Sequence, residues 1–136
     1  MSQIEFRTEV TLRAAISPSE APPKVAAAVA SVLGMSPDDV ELSETSAQLR
    51  TDDPKVMTRI RDKLRDRHVR GAARRQFILN KEGGSTSIML NRQAATVGAL
   101  ALCGTPEESP LGPIYLTIES DRIDEAIDRL ASYDEG

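Results

Sequence analysis

Residues 4–16 read IEFRTEVTLRAAI, and this stretch decides the fold class. Ile4, Phe6, Val10, Leu12 and Ile16 face one way, while Glu5, Arg7, Glu9 and Arg13 face the other. Side chains alternate across a strand with a period of two, so the stretch predicts a long strand with one face buried and one in water. Such a strand needs partners beside it and a layer of helices on its apolar face.

Downstream, SPSEAPP at 17–23 breaks the strand, and Pro22 or Pro23 fits the first turn of a helix, where a missing N–H costs nothing. Val25, Val29, Val32 and Leu33 line one side of that helix, and Gly34 stops it. Val40 and Leu42 alternate with acids, which predicts a second strand within 38–50 reaching to Leu49. TDDP at 51–54 caps a second helix, with Pro54 in its first turn and Val56, Met57, Ile60 and Leu64 as its apolar stripe. Val69, Ala72, Ala73 and Phe77 continue a helical pattern after a bend near His68 to Gly71.

NKEGGS at 80–85 is a break. Strands are predicted at Ser87–Asn91 and Thr96–Cys103, joined near Arg92–Ala95. TPEESPLGP at 105–113 is no central strand, because its three prolines lack ladder donors. Ile114, Leu116 and Ile118 form a last strand. A final helix runs from about Asp121 to Ser132, capped by Ser120 or Asp121, with Ile123, Ala126, Ile127 and Leu130 buried. The expected order is β-α-β-α-α-β-β-β-α. It describes one α+β domain over 1–136, a two-layer sandwich with helices on one face of a largely antiparallel mixed sheet.

The chain has 136 residues, 40% hydrophobic and 28% charged, which suits one folded domain. No apolar run approaches the roughly 20 residues of a membrane span. The N-terminus has no basic stretch followed by an apolar core, so a cytoplasmic location is the expectation. The single cysteine, Cys103, excludes an internal disulfide and fits a reducing compartment. With one histidine besides, the chain cannot supply a Cys/His zinc site, and no metal or cofactor is expected.

The net charge of −4 hides an asymmetry. Residues 55–75 hold nine Lys or Arg and two acids, Asp62 and Asp66, a net +7, while the remaining 8 basic and 19 acidic residues carry −11. Arg outnumbers Lys 13 to 4. Arg suits bidentate phosphate binding, although a GC-rich genome also raises Arg and Ala. Arg61 and Arg65 flank the apolar stripe on one side, and Arg59, Lys63 and Arg70 on the other. Arg67 falls inside the apolar arc, where the regular helix should weaken. The plainer reading is a solvated helix face whose long stems shield the core edge. The sharper reading is an anion-binding surface for RNA, with Arg59, Arg61, Lys63, Arg65, Arg70, Arg74 and Arg75 on phosphates. Aromatics are scarce, so structured RNA read by shape is favoured over single strands stacked on rings.

Other candidates are bland. His68 lacks a nucleophile and an orienting acid, and reads as a helix-end residue or phosphate contact. Cys103 reads as buried and structural. Gly83 and Gly84 form a turn rather than a phosphate loop, and Glu107 with Glu108 shows no acid–base signature. No catalytic residue is assigned, and an enzyme is not expected.

Two stretches are more specific: LNRQAATVG at 90–98 and ESPLGPI at 108–114. With IRDKLR at 60–65 and AARR at 72–75, in this order, they resemble an archaeal uncharacterised protein family, number 0201. The resemblance runs from the first strand to about Ile118. It implies a fold similar to ribosomal protein L5 and a predicted RNA-binding role, sometimes linked to the exosome, but no catalytic residues. Its motifs map onto Asn91, Gln93, Glu108, Ser109, Pro110, Gly112 and Pro113. Ala21 stands where an acidic cap is expected, and Gly71 where relatives tend to have an acid. Asn91, Arg92 and Gln93 suggest polar side chains that hold the ESPLGP loop through its backbone.

The leading expectation is therefore a non-enzymatic RNA-binding domain, an accessory to RNA processing. The alternative is a protein-interaction or self-assembly module, as a homodimer or with the basic patch docking an acidic partner. Residues 107–136, with nine acids and two arginines, are one such acidic segment.

Overall fold

The computed structural model describes residues 7–66 and 68–131. Ile4, Phe6, Arg67, Ser132 and Tyr133 lie outside them, so the first residues of the predicted strand go undescribed. The strand itself, β1 (Thr8–Ala15), is the middle of the sheet. Val10, Leu12 and Ala14 are buried, while Glu9, Thr11 and Arg13 face outward. Helix α1 (Pro22–Leu33) follows. Ala21 offers no side-chain cap, and Gly34, at φ 66°, ends the helix in the left-handed region that costs glycine nothing.

The region read as one strand over 38–50 is a hairpin, β2 (Glu41–Leu42) and β3 (Ser46–Thr51). Ser43 makes the turn: its Oγ accepts from the N–H groups of Thr45 and Ser46. Such local side-chain bonds compete with a continuous strand. Helix α2 (Pro54–Asp66) starts as predicted, with Asp53 Oδ1 accepting from Lys55 N–H at 3.0 Å. The bend follows: His68 takes φ 57°, and α3 (Arg70–Leu79) begins.

Strand β4 (Ser85–Leu90) is followed by a correction. Residues 92–95 form a short helix, α4 (Arg92–Ala95), and 96–103 is not a strand. The Asn91 side chain caps α4 by accepting from Ala94 N–H at 3.0 Å, and local bonds through Gly98 and Ala99 continue the turn. Segment 96–103 touches the ladder only at a single Leu90–Leu102 bridge. Its apolar residues Leu100 and Cys103 are buried, so they signalled burial rather than strand. Strand β5 (Ile114–Ser120) and helix α5 (Ile123–Leu130) complete the chain. Ser120 Oγ accepts from Arg122 N–H at 3.0 Å, which makes a turn into α5 rather than an N-cap.

The five strands lie in the order β2-β3-β1-β5-β4, and every neighbouring pair is antiparallel. The sheet is thus wholly antiparallel rather than mixed. Leu12, Leu49, Ile88, Leu116 and Ile118 form its apolar face, against Val29, Leu33, Ile60, Leu64, Phe77, Ile127 and Leu130 of the helices.

One ion pair is buried at the edge of this core. Arg92 Nη1 donates to both carboxylate oxygens of Glu20, at 2.8 and 2.7 Å, with side chains 5% and 12% exposed. It ties α4 to the break before α1. Burial pushes the Glu20 carboxyl up, but the Ser17 N–H and the Arg92 guanidinium together outweigh this and hold it below the ordinary carboxylate range. Arg92 Nε and Nη2 are buried and find no acceptor among the described residues. Unmet donors of this kind cost about 1–3 kcal/mol each.

Glu20→Ala leaves the guanidinium buried and unpaired, so urea unfolding at neutral pH should show a loss of about 3 kcal/mol. Glu20→Leu with Arg92→Met removes the charge and its unmet donors together, and should recover most of that loss. Because the folded Glu20 pKa is depressed, its contribution is present above the unfolded value of about 4.3 and is lost as pH falls through the folded value. The gap between wild type and Glu20→Ala should therefore close in acid.

Candidate functional site

The basic segment is divided between internal work and water. The last turn of α1 contains no basic residue, yet its terminal carbonyls carry the negative end of the helix dipole. Helix α2 supplies the missing cations. Arg59 Nη1 donates to Leu33 O at 2.9 Å, and Lys63 Nζ donates to Ser31 O at 3.1 Å and Val32 O at 3.0 Å. Burial, and Arg59 beside it, lower the Lys63 pKa. Arg74 Nη1 bonds Asp128 Oδ1 at 2.7 Å and Ala131 O at 3.0 Å, which fastens α3 to the end of α5.

The other cations differ. Arg61 meets Asp62 at 3.4 Å, and Arg65 meets Asp62 at 3.4 Å and Asp66 at 3.5 Å, all on the exposed side of α2. Loose exposed pairs of this kind contribute little to stability and leave the arginines reachable. Arg75 and Lys55 are exposed. Arg70 is half-buried and engaged within the fold. Of the seven cations named from the sequence, Arg59, Arg61, Arg65 and Arg75 are exposed, and Lys63, Arg70 and Arg74 are half-buried. Three of them, Arg59, Lys63 and Arg74, bond the protein's own carbonyls.

The two motif stretches do meet, though not through the amides. Arg92 N–H donates to Ser109 Oγ at 3.0 Å, and Ser109 Oγ donates to Gly112 O at 3.0 Å. Gly104 N–H donates to Glu108 Oε1 at 2.7 Å. Asn91 is used in capping α4 and Gln93 is exposed, so the loop is held by the Arg92 backbone and the Ser109 hydroxyl. Ser109 to Gly112 make a tight turn closed by Gly112 N–H to Ser109 O at 2.9 Å, with Pro110 first and Leu111 second of its central residues. Leu111 at φ 67° occupies the place that a type II turn normally gives to glycine. Pro113 is buried behind it and Pro110 is exposed. Burial raises the Cys103 pKa, and the Glu108 carboxylate adds to the effect.

The surface that sequence reading missed is the second face of the sheet. Pairing aligns Glu41, Gln48, Arg13, Tyr115 and Met89 in one row across all five strands. The next outward row is Arg50, Thr11, Thr117 and Ser87, and the third is Glu9, Glu119 and Ser85. A shallow depression of about 380 Å³ lies over the middle of this face, lined by Thr11, Arg13, Gln48, Arg50 and Tyr115 among others. Arg50 and Glu9 make a long pair at 3.8 Å, and Tyr115 is 40% exposed. Only the alternation of single strands hinted at this face; its rows need the register.

The β4 edge, by contrast, is sealed. Cys103 N–H donates to Met89 O at 3.0 Å, Met89 N–H to Gln76 Oε1 at 3.1 Å, and Asn80 Nδ2 to Ser87 O at 2.9 Å. These bonds occupy the groups that another strand would need. Among the described residues, no group of three or more His, Cys, Asp or Glu is placed to hold a metal, and no helix is long and apolar enough to cross a membrane.

No family model matches the chain. A UPF0201 protein of Metallosphaera sedula is 30% identical over 125 residues, covering 91% of this chain and 87% of that protein. The chain belongs to the UPF0201 family. A second UPF0201 protein, from Sulfurisphaera tokodaii, is 46% identical over 57 residues, a match that spans 42% of this chain and 39% of the relative. The crystal structure of a UPF0201 protein from Methanococcus jannaschii superimposes with a TM-score of 0.75 at 23% identity, over 94% of this chain and 96% of that one. Another UPF0201 crystal structure gives 0.74 at 28% identity. The whole two-layer architecture is therefore shared with UPF0201 proteins of known structure.

Within this UPF0201 chain, the internal cations and the exposed ones should separate by stability. Arg59→Met with Lys63→Met strips the end of α1 of its side-chain donors, leaving the Gly34 and Met35 N–H groups, and should cost about 1–2 kcal/mol in urea unfolding. Arg61→Gln with Arg65→Gln should change it by less than about 0.5 kcal/mol.

Proposed function

We propose that this UPF0201 protein is a non-enzymatic docking module, that its working surface is the open face of the sheet, and that a protein occupies that face. The observation that carries this reading is the aligned row of Gln48, Arg13, Tyr115 and Met89 beside the depression of about 380 Å³. Tyr, Met and Arg are the side chains enriched at the centres of protein interfaces. Thr and Ser surround them with short polar groups that lose little entropy when covered. The charged residues of the face are Arg7, Arg13 and Arg50 against Glu9, Glu41 and Glu119. A face of balanced charge offers no basic patch to draw a phosphate backbone.

RNA binding by the helical segment is the second reading. Lys55, Arg61, Arg65 and Arg75 support it, being exposed on the outer side of the helical layer. Against it stand Arg59, Lys63 and Arg74, which already satisfy backbone carbonyls. Those bonds hold the three side chains in place without cancelling their charge, and Asp128, 2.7 Å from Arg74, offsets part of the +7 of residues 55–75.

A photoreactive residue placed at Thr117 on the open face, or at Glu125 on α5 as a control, separates the readings in an extract of the source cells. Docking predicts a protein adduct from Thr117 and none from Glu125. RNA-only adducts, or no protein adduct from Thr117, overturn it. In parallel, filter binding of structured RNA at low salt should show no retention that Arg61→Glu with Arg65→Glu abolishes. Salt-sensitive retention lost in that variant would establish the RNA reading instead.

A further inference from the structure

We propose that the occupant of the open sheet face is a second copy of this chain, packed face to face about a two-fold axis that runs across the strands. The proposal rests on the docking reading above and names its partner.

The outward rows differ in charge along the strand direction. Arg13 and Tyr115 stand in the first row, and Glu9 and Glu119 in the third, with the neutral Thr11 and Thr117 between them. Two arrangements bring two copies of such a face together by a two-fold axis lying between the sheets. In one, the axis runs along the strands. Rows then meet their own kind, Glu9 and Glu119 are stacked on Glu119 and Glu9 of the other copy, and acids oppose acids. In the other, the axis runs across the strands along the Thr11–Thr117 row. Each strand then lies over its own copy in reverse, and the first row covers the third.

The second arrangement places Arg13 over Glu9 of the other copy, twice by symmetry, and Tyr115 over Glu119, where the phenol can donate to the carboxylate. Thr11 and Thr117 meet their own counterparts, and small hydroxyls allow the close approach of about 10 Å that stacked sheets take. Arg50 meets its own copy toward the β3 side, where each is already beside a Glu9 at 3.8 Å. The first arrangement opposes two pairs of acids and gains no ion pair, whereas the second opposes only Arg50 to its copy and gains two Arg13–Glu9 pairs, so the charge pattern favours the axis across the strands.

The edges offer a poorer route. β4 is occupied along its outer side by Gln76, Asn80 and Cys103, and β2 is two residues long. Strand addition would find Met89 and Ser87 O already bonded on β4 and only two residues on β2, so it is disfavoured against the face.

The area sets the strength. Strands about 4.8 Å apart and residues about 3.3 Å apart give the outward rows a footprint of about 400 Å² per copy. That is about half of what a standard stable interface buries on each partner. The dimer is accordingly weak, reversible and sensitive to salt.

The test uses the purified full chain. Sedimentation velocity from about 10 μM to about 1 mM should show a monomer–dimer equilibrium that shifts to monomer at high salt. Arg13→Glu alone and Glu9→Arg alone each place like charges across the axis, and each should weaken association by at least about tenfold. Mixed one to one, these two variants should restore the dimer, because each acid then faces a base. Restoration also shows that both variants are folded. A wild-type chain that stays monomeric throughout, or a mixture that associates no better than its components, overturns the proposal. The docking reading would survive that failure if Thr117 still crosslinks to a different protein, and would fall with it if Thr117 crosslinks to none.

Discussion

The structure depends on one constraint: five strands hydrogen-bonded antiparallel in a register that puts the buried Leu, Ile and Val side chains on the same face. Arg13 lies between Gln48 and Tyr115, and Leu12 between Leu49 and Leu116. A slip of one residue in any pair would carry Leu12 or Leu116 to water and Arg13 or Glu119 into the core. The apolar face draws the helices onto it by burial of Leu, Ile and Phe side chains, each worth about 1.5–3 kcal/mol. The polar face is what remains, and it becomes the broadest surface that no described element covers.

The central cations show how charge in a sequence differs from charge at a surface. A helix end without its own basic residue is a local demand for positive charge, and α1 is such an end. Arg59 and Lys63 meet that demand because α2 packs beside α1 and their stems are long enough to reach its last carbonyls. Arg74 likewise donates to Ala131 O just past α5, whose last turn already holds Arg129. Arg61 and Arg65 instead stay exposed, beside Asp62 and Asp66.

The UPF0201 motif stretches show the same shift from ligand contact to internal architecture. LNRQAATVG and ESPLGPI are distant in sequence from SPSEAPP, yet Arg92 bonds Glu20 with its side chain and Ser109 with its backbone. One arginine thus joins three connections at one end of the sheet. The Arg92 donors left without an acceptor oppose this arrangement energetically, and the two bonds to Glu20 hold it in place.

Much of the fold was legible because it rests on local signals. The period-two alternation of β1 and β5, the stripe of Val56, Met57, Ile60 and Leu64, Pro54 behind Asp53, and Gly34 all act within a few residues of themselves. The strand predicted at 96–103 failed where burial imitated a strand pattern, and the single strand at 38–50 failed where Ser43 turned the chain. The open face proposed for docking was legible only as the alternation of single strands. Its rows draw on residues up to about a hundred positions apart, and which side chains stand together is set by ladder register. By itself the chain determined which residues are apolar, which are charged and where helices start and stop. Only tertiary packing decided which charges are spent on helix ends and which face of the sheet stays open, because both depend on distances between segments that the chain order does not contain.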